Sequence, residues 1–139
     1  MAVRDIARRD VVTATAETPI ADIAGELEAE NVGSIVIVEE DRPVGMLTDR
    51  RIALSLGETD DPSSLVAGDL MADDLVTVGE DVGVFDLIQT MESEGIRRLP
   101  VVNDRGSLIG IVTLDDVLVL LGDELDNVAH IIRKQAPDY

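Results

Sequence analysis

Apolar residues recur along this chain in two periods, and each period occurs twice. Ile20, Ile23, Ala24 and Leu27 fall at helical spacing, and Val84, Leu87, Ile88 and Met91 repeat the pattern further on. Each set makes one apolar stripe that must cover a sheet. Behind each lies a short β-branched run, Ser34 to Val38 and Arg98 to Val102, then a turn (Glu39 to Pro43; Asn103 to Gly106) and a second run (Val44 to Leu47; Ser107 to Val112). Two hairpins are predicted. Thr18-Pro19 reads as a helix start, with threonine as cap and proline at the first helical position, and Asp81 reads as the cap of the second helix. A short helix is expected after Thr48 and after Thr113, and Leu121, Leu125, Val128 and Ile132 predict a final amphipathic helix stopped by Ala136-Pro137.

The likeness between halves is an internal repeat. Asp10-Val11-Val12-Thr13 recurs as Asp74-Leu75-Val76-Thr77, and the same spacing aligns Val3-Arg4-Asp5-Ile6 with Ala67-Gly68-Asp69-Leu70. Asp10 to Thr15 is an extended lead-in strand, and Ala2 to Arg8 and Ser63 to Ala72 are expected to turn helical before each lead-in. The unit is β-α-β-β-α, an α+β fold. Residues 1–60 form the first repeat and 61–139 the second, with the linker at Gly57 to Pro62. A three-stranded sheet backed by two helices leaves a face open, so the two units are expected to pack sheet-to-sheet with pseudo-two-fold symmetry.

With 139 residues and 45% hydrophobic content the chain can bury one ordinary core. No run approaches the roughly 18–20 apolar residues of a membrane span, and the start, MAVRDIARRD, is charged too soon for a secretory signal. A cytoplasmic protein without membrane insertion is expected. There is no cysteine and the single His130 cannot make a two-histidine site, so neither a disulfide nor a metal site is expected. The carboxylate pairs Asp73-Asp74 and Asp115-Asp116 have no recognisable catalytic partner, which argues against an enzyme. Eleven basic residues stand against 29 acidic ones, a net charge of −18 spread along the chain in clusters such as Glu39-Glu40-Asp41 and Asp60-Asp61. Such a chain lacks the basic face that nucleic acids require. Its cations are arginines apart from Lys134, a balance that resembles proteins of salt-loving organisms, where solvent ions screen self-repulsion. A halophilic archaeon is the expected source, with an acidic mesophile as the alternative.

The most specific marks are Gly45-Met46-Leu47-Thr48 and Gly110-Ile111-Val112-Thr113, each behind a hairpin, together with Arg97-Arg98-Leu99-Pro100-Val101-Val102. In these the chain resembles a tandem pair of CBS domains, the cystathionine-β-synthase motif whose two copies form one Bateman module, and the resemblance covers nearly the whole chain. It implies an adenine ligand, AMP, ADP, ATP or the adenosyl group of S-adenosylmethionine, in a cleft between repeats, with no cofactor required. A helix start offers free N–H groups and a positive dipole end to a phosphate. Thr113 would add a hydroxyl, and Asp116 would accept from the ribose hydroxyls. The same pair also fits a capping box that satisfies backbone donors alone. Arg97 and Arg98 stand where relatives place phosphate-facing cations, and they fit equally a surface ion pair with Glu94 or Asp104; strand neighbours alternate faces, so one of the two need point inward. By the same resemblance Val11, Val12 and Thr13 would meet the adenine edge, and Val32, Gly33 and Ser34 would wall the pocket beside Ile111. Phe85 and Tyr139 are the only aromatics, so the base contact must be aliphatic. In the first repeat Arg51 takes the place of Asp116, which makes that cleft a poor ribose site.

The reading that follows is a stand-alone regulatory module that signals occupancy to a separate effector protein. The alternative is a non-sensing dimeric scaffold. A homodimer through helices fits both, and the stripe on the last helix suits such a contact. From the charge balance, the unfolding temperature in a calorimetric scan is expected to rise as KCl is raised toward molar levels; a flat or falling response would count against adaptation to salt.

Overall fold

The computed structural model describes residues 1–72 and 74–137; Asp73 and Tyr139, named above, lie outside the described residues. The β-branched runs form sheet as expected. In the first repeat β1 (Thr13–Ala14) runs parallel to β2 (Ser34–Glu39), which pairs antiparallel with β3 (Arg42–Thr48). Helix α1 (Ile20–Ala29) joins β1 to β2, and α2 (Asp49–Ser55) follows β3. After the short α3 (Ala67–Leu70) the second repeat has β4 (Val78–Gly79), α4 (Val84–Glu94), β5 (Arg98–Val102), β6 (Leu108–Thr113) and α5 (Leu114–Gln135). The two sheets have the orders β1-β2-β3 and β4-β5-β6, so β-α-β-β-α occurs twice.

Three local expectations are corrected. The lead-in strand is shorter than Asp10 to Thr15: only Thr13 and Ala14 join the ladder, because the preceding chain has left to bridge the other repeat. The caps also differ. Pro19, not Thr18, is the cap residue of α1, and the Thr18 hydroxyl instead accepts from the Thr15 amide at 3.1 Å. Gly83 caps α4, while Asp81 pairs with Arg4. Finally, the short helix after Thr113 and the terminal amphipathic helix are one continuous α5 of 22 residues. Gly122 within it costs about 1 kcal/mol relative to alanine, too little to break a helix of that length.

Burial shows why the repeats cannot be separated. Val3 is fully buried among Leu87, Leu99, Val101, Val112 and Val117, all of the second repeat. Conversely Ala67 and Leu70 lie in the core of Ile20, Ile23, Leu27, Ile35, Ile37 and Leu47, all of the first. Each lead-in thus covers the other repeat's core. Backbone bonds hold the exchange in matching fashion: the Val3 amide donates to Val82 O at 2.8 Å, and the Ala67 amide to Thr18 O at 2.9 Å. The carbonyl of Thr18 and the chain around Gly83 are therefore engaged in holding a neighbour at the helix starts.

The pseudo-equivalent glycines Gly45 and Gly110 sit where these lead-ins cross the sheets. A Cβ at Gly110 would fall 2.8 Å from the Arg8 carbonyl oxygen, whereas one at Gly45 would meet the Met71 sulfur at 2.7 Å. Backbone cannot give way as a thioether can. Gly110→Ala is expected to cost about 1–3 kcal/mol in urea unfolding and Gly45→Ala clearly less; equal losses would mean that the Arg8 crossing is not rigid.

Candidate functional site: two clefts at the junction of the repeats

Each hairpin ends at a threonine that starts a helix, and each helix start is tied to a wall loop of its own repeat. The Leu114 amide donates to Arg97 O at 2.8 Å, and the Asp49 amide to Gly33 O at 3.0 Å. Two clefts result, one around Thr113 and one around Thr48.

The Thr113 cleft has a volume of about 290 Å³, at the small end of the roughly 300–1,000 Å³ of ligand sites. Of the residues expected there, Ile111, Thr113 and Arg98 from the second repeat face Val11, Val12, Val32, Gly33 and Ser34 from the first. Thr13, Arg97 and Asp116 are not among its lining. Thr13 borders two shallower depressions beside it. Arg97 points away, 71% exposed, with its guanidinium 3.7 Å from Asp115, and it lines the other cleft. Its partner is thus neither Glu94 nor Asp104. The Val12 carbonyl accepts from the Val36 amide at 3.0 Å, so its part in the lead-in is structural as well as lining.

Asp116 lies just behind Thr113 and is well engaged. Its Oδ2 accepts from the Thr113 amide at 2.9 Å and from the Thr113 hydroxyl at 3.0 Å, while the Asp116 amide donates back to that hydroxyl at 3.3 Å. This is a reciprocal capping box. Its Oδ1 accepts from Arg8 Nε at 3.0 Å. Arg8 also lines the cleft, with Asp10, Asn31 and Val36, four residues that reading the chain did not assign. The adjacent Arg8-Arg9 in so acidic a sequence was the available signal for the first of them.

The Thr48 cleft is roomier, about 660 Å³, and has Arg50, Arg97 and Arg98 set against Asp49, Asp74 and Glu94. Here the Arg51 amide still donates to the Thr48 hydroxyl at 3.1 Å, but no carboxylate returns the bond. The Arg51 guanidinium turns away to both oxygens of Glu58, at 2.9 and 3.0 Å. The two clefts thus differ at the third residue after the cap threonine, Asp116 in one and Arg51 in the other. Arg98 lines both. Among the described residues no group of three or more His, Asp or Glu side chains is placed to hold a metal ion, and no helix is long and apolar enough to cross a membrane.

Comparison with known proteins places this architecture. The chain is 39% identical over 120 residues to the uncharacterized protein MK0525 of Methanopyrus kandleri, covering 85% of this chain and 61% of that protein. It therefore spans under two thirds of that relative's length. The CBS domain-containing protein YhcV of Bacillus subtilis is 34% identical over 134 residues, covering 92% of this chain and 95% of YhcV. Among solved structures, the CBS domain pair of protein MJ0100 in complex with 5′-methylthioadenosine and S-adenosyl-L-methionine is similar with a TM-score of 0.78 and 29% identity, covering 89% of this chain and 98% of that one. The CBS domain matches twice, over residues 3–58 and 67–123, and the chain belongs to the CBS-domain family as a tandem pair.

Proposed function

We propose that this CBS pair is a regulatory module that binds an adenine nucleotide or adenosyl ligand in the Thr113 cleft and passes occupancy to a separate effector protein. The observation that carries this reading is the convergence on one cavity of a helix start at Thr113, the Arg98 guanidinium and the small Gly33 and Ser34 of the opposite repeat. The helix start and the guanidinium suit an anion, and the small residues leave room for a flat base against Val11, Val12, Val32 and Ile111. The adenosyl ligands of the MJ0100 pair support the class of ligand. Asp116 holds the cap and is the group that would receive a ribose. Because Arg51 replaces it in the Thr48 cleft, one ribose-type site per chain follows. A ligand spanning both repeats favours one angle between them, which supplies a two-state element for signalling.

Titration calorimetry of AMP, ADP, ATP and S-adenosylmethionine in high KCl is expected to show saturation near one equivalent per chain, with affinity for the bound ligand reduced at least about tenfold in Asp116→Ala. Loss of the cap alone costs only about 1 kcal/mol of stability, so the variant should stay folded. No heat from any of the four up to millimolar ligand would leave the scaffold reading in front.

A homodimer is the accompanying reading. Leu118, Leu121, Leu125, Val128 and Ile132 follow spacings of three and four along α5 and stay exposed, Leu125 by 70% and Ile132 by 64%. A seam of that spacing is matched by a second helix of the same kind. Light scattering is expected to give twice the chain mass for the wild type and the chain mass for Leu125→Glu; a monomeric wild type would count against the seam.

A further inference from the structure

The Arg8–Asp116 pair joins a residue that lines the proposed site to the carboxylate behind Thr113, and its geometry bears on which ligands that site accepts. Arg8 is anchored by its backbone: its amide donates to Ile111 O at 2.9 Å, and the Ile111 amide returns a bond of 2.9 Å to Arg8 O. Its side chain is free to move, being 66% exposed, whereas Asp116 is only 11% exposed. The half-buried partner has little choice. Its Oδ2 is turned into the cap by two bonds, which leaves Oδ1, the oxygen bonded to Arg8 Nε, as the one not committed to the cap.

We propose that Arg8 is a specificity residue of the Thr113 cleft, exchanging Asp116 for the phosphate of the ligand and thereby favouring phosphorylated adenosine over neutral adenosyl compounds. This rests on the nucleotide reading above. A ribose hydroxyl that donates to Asp116 Oδ1 competes with the guanidinium already there. For a ligand without a phosphate, the displaced arginine loses its partner and gains none. For a nucleotide, the same guanidinium moves to a phosphate, for which its planar fork is suited. The other charged groups lining the cavity are Arg98 and Asp10, which offset one another and leave Arg8 to set the balance. Nothing comparable occurs in the Thr48 cleft, where Ala72 lines at the position equivalent to Arg8 and Arg51 points to Glu58.

The test is calorimetric titration of AMP and of adenosine into the wild type, Arg8→Gln and Arg8→Lys. Gln removes the charge from an exposed position and keeps the backbone bridge. The wild type is expected to prefer AMP. In Arg8→Gln adenosine should bind about two- to fivefold more tightly, the span of an exposed ion pair, and AMP at least about threefold more weakly, so the preference shrinks roughly tenfold. Arg8→Lys, which keeps the charge, should retain the preference for AMP. Equal or weaker adenosine binding in Arg8→Gln, or an unchanged preference, would overturn the proposal while leaving the nucleotide reading intact. Binding of neither ligand to the wild type would overturn the proposal, and the nucleotide reading with it if ADP, ATP and S-adenosylmethionine fail to bind as well.

Discussion

The structure depends first on the exchange of lead-in segments between the two repeats. Val3 fills the second core and Ala67 with Leu70 the first, and each crossing is fastened by backbone bonds at a helix start. Neither three-stranded sheet can cover its own core without the chain that precedes its neighbour. Burial of these side chains therefore couples the repeats into a single unit, and the clefts exist because of it: the Arg8 backbone that closes one side of the Thr113 cleft is the same segment that crosses onto β6 at Ile111. Rigid backbone contact at Gly110 is what makes that crossing close.

On this nearly symmetric frame the two clefts have diverged through a handful of side chains. Thr48 and Thr113 both cap helices, but only Thr113 is answered by a carboxylate three residues on. Arg51 instead reaches an acidic residue beyond α2, Glu58, and no carboxylate stands three residues after Thr48. The wall loops differ too, since Gly33 presents nothing where Arg97 presents a guanidinium. A duplicated scaffold can in this way hold two clefts of different chemistry, because backbone geometry is shared while hydrogen-bonding groups are not.

Reading the chain and seeing it folded agree where local physics decides. Helical stripes such as Val84, Leu87 and Met91 are buried as their spacing required, and the hairpin strands formed within one residue or two of the β-branched runs. The threonines before α2 and α5 cap as expected, since an N-cap side chain satisfies donors within three residues of itself. At Thr18 and Asp81 that logic failed, because the Thr18 hydroxyl is engaged by Thr15 and the Asp81 carboxylate by the distant Arg4. The repeat predicts a short helix after Thr113 to match α2 and a separate helix for the stripe from Leu121 to Ile132, yet α5 runs on unbroken, because extending a helix is far cheaper than nucleating a second one.

The repeat, the order of elements, the family resemblance and the arginine at position 51 are legible in the chain alone, because periodicity, β-branched runs and short motifs act over a few residues. The exchange of lead-ins, the outward turn of Arg97, and the Arg8–Asp116 pair that joins residues 108 positions apart come from the folded chain. Those depend on which backbone lies over which sheet. No local pattern encodes that choice, since it is made by the burial of Val3 and Ala67 in cores built by the opposite repeat.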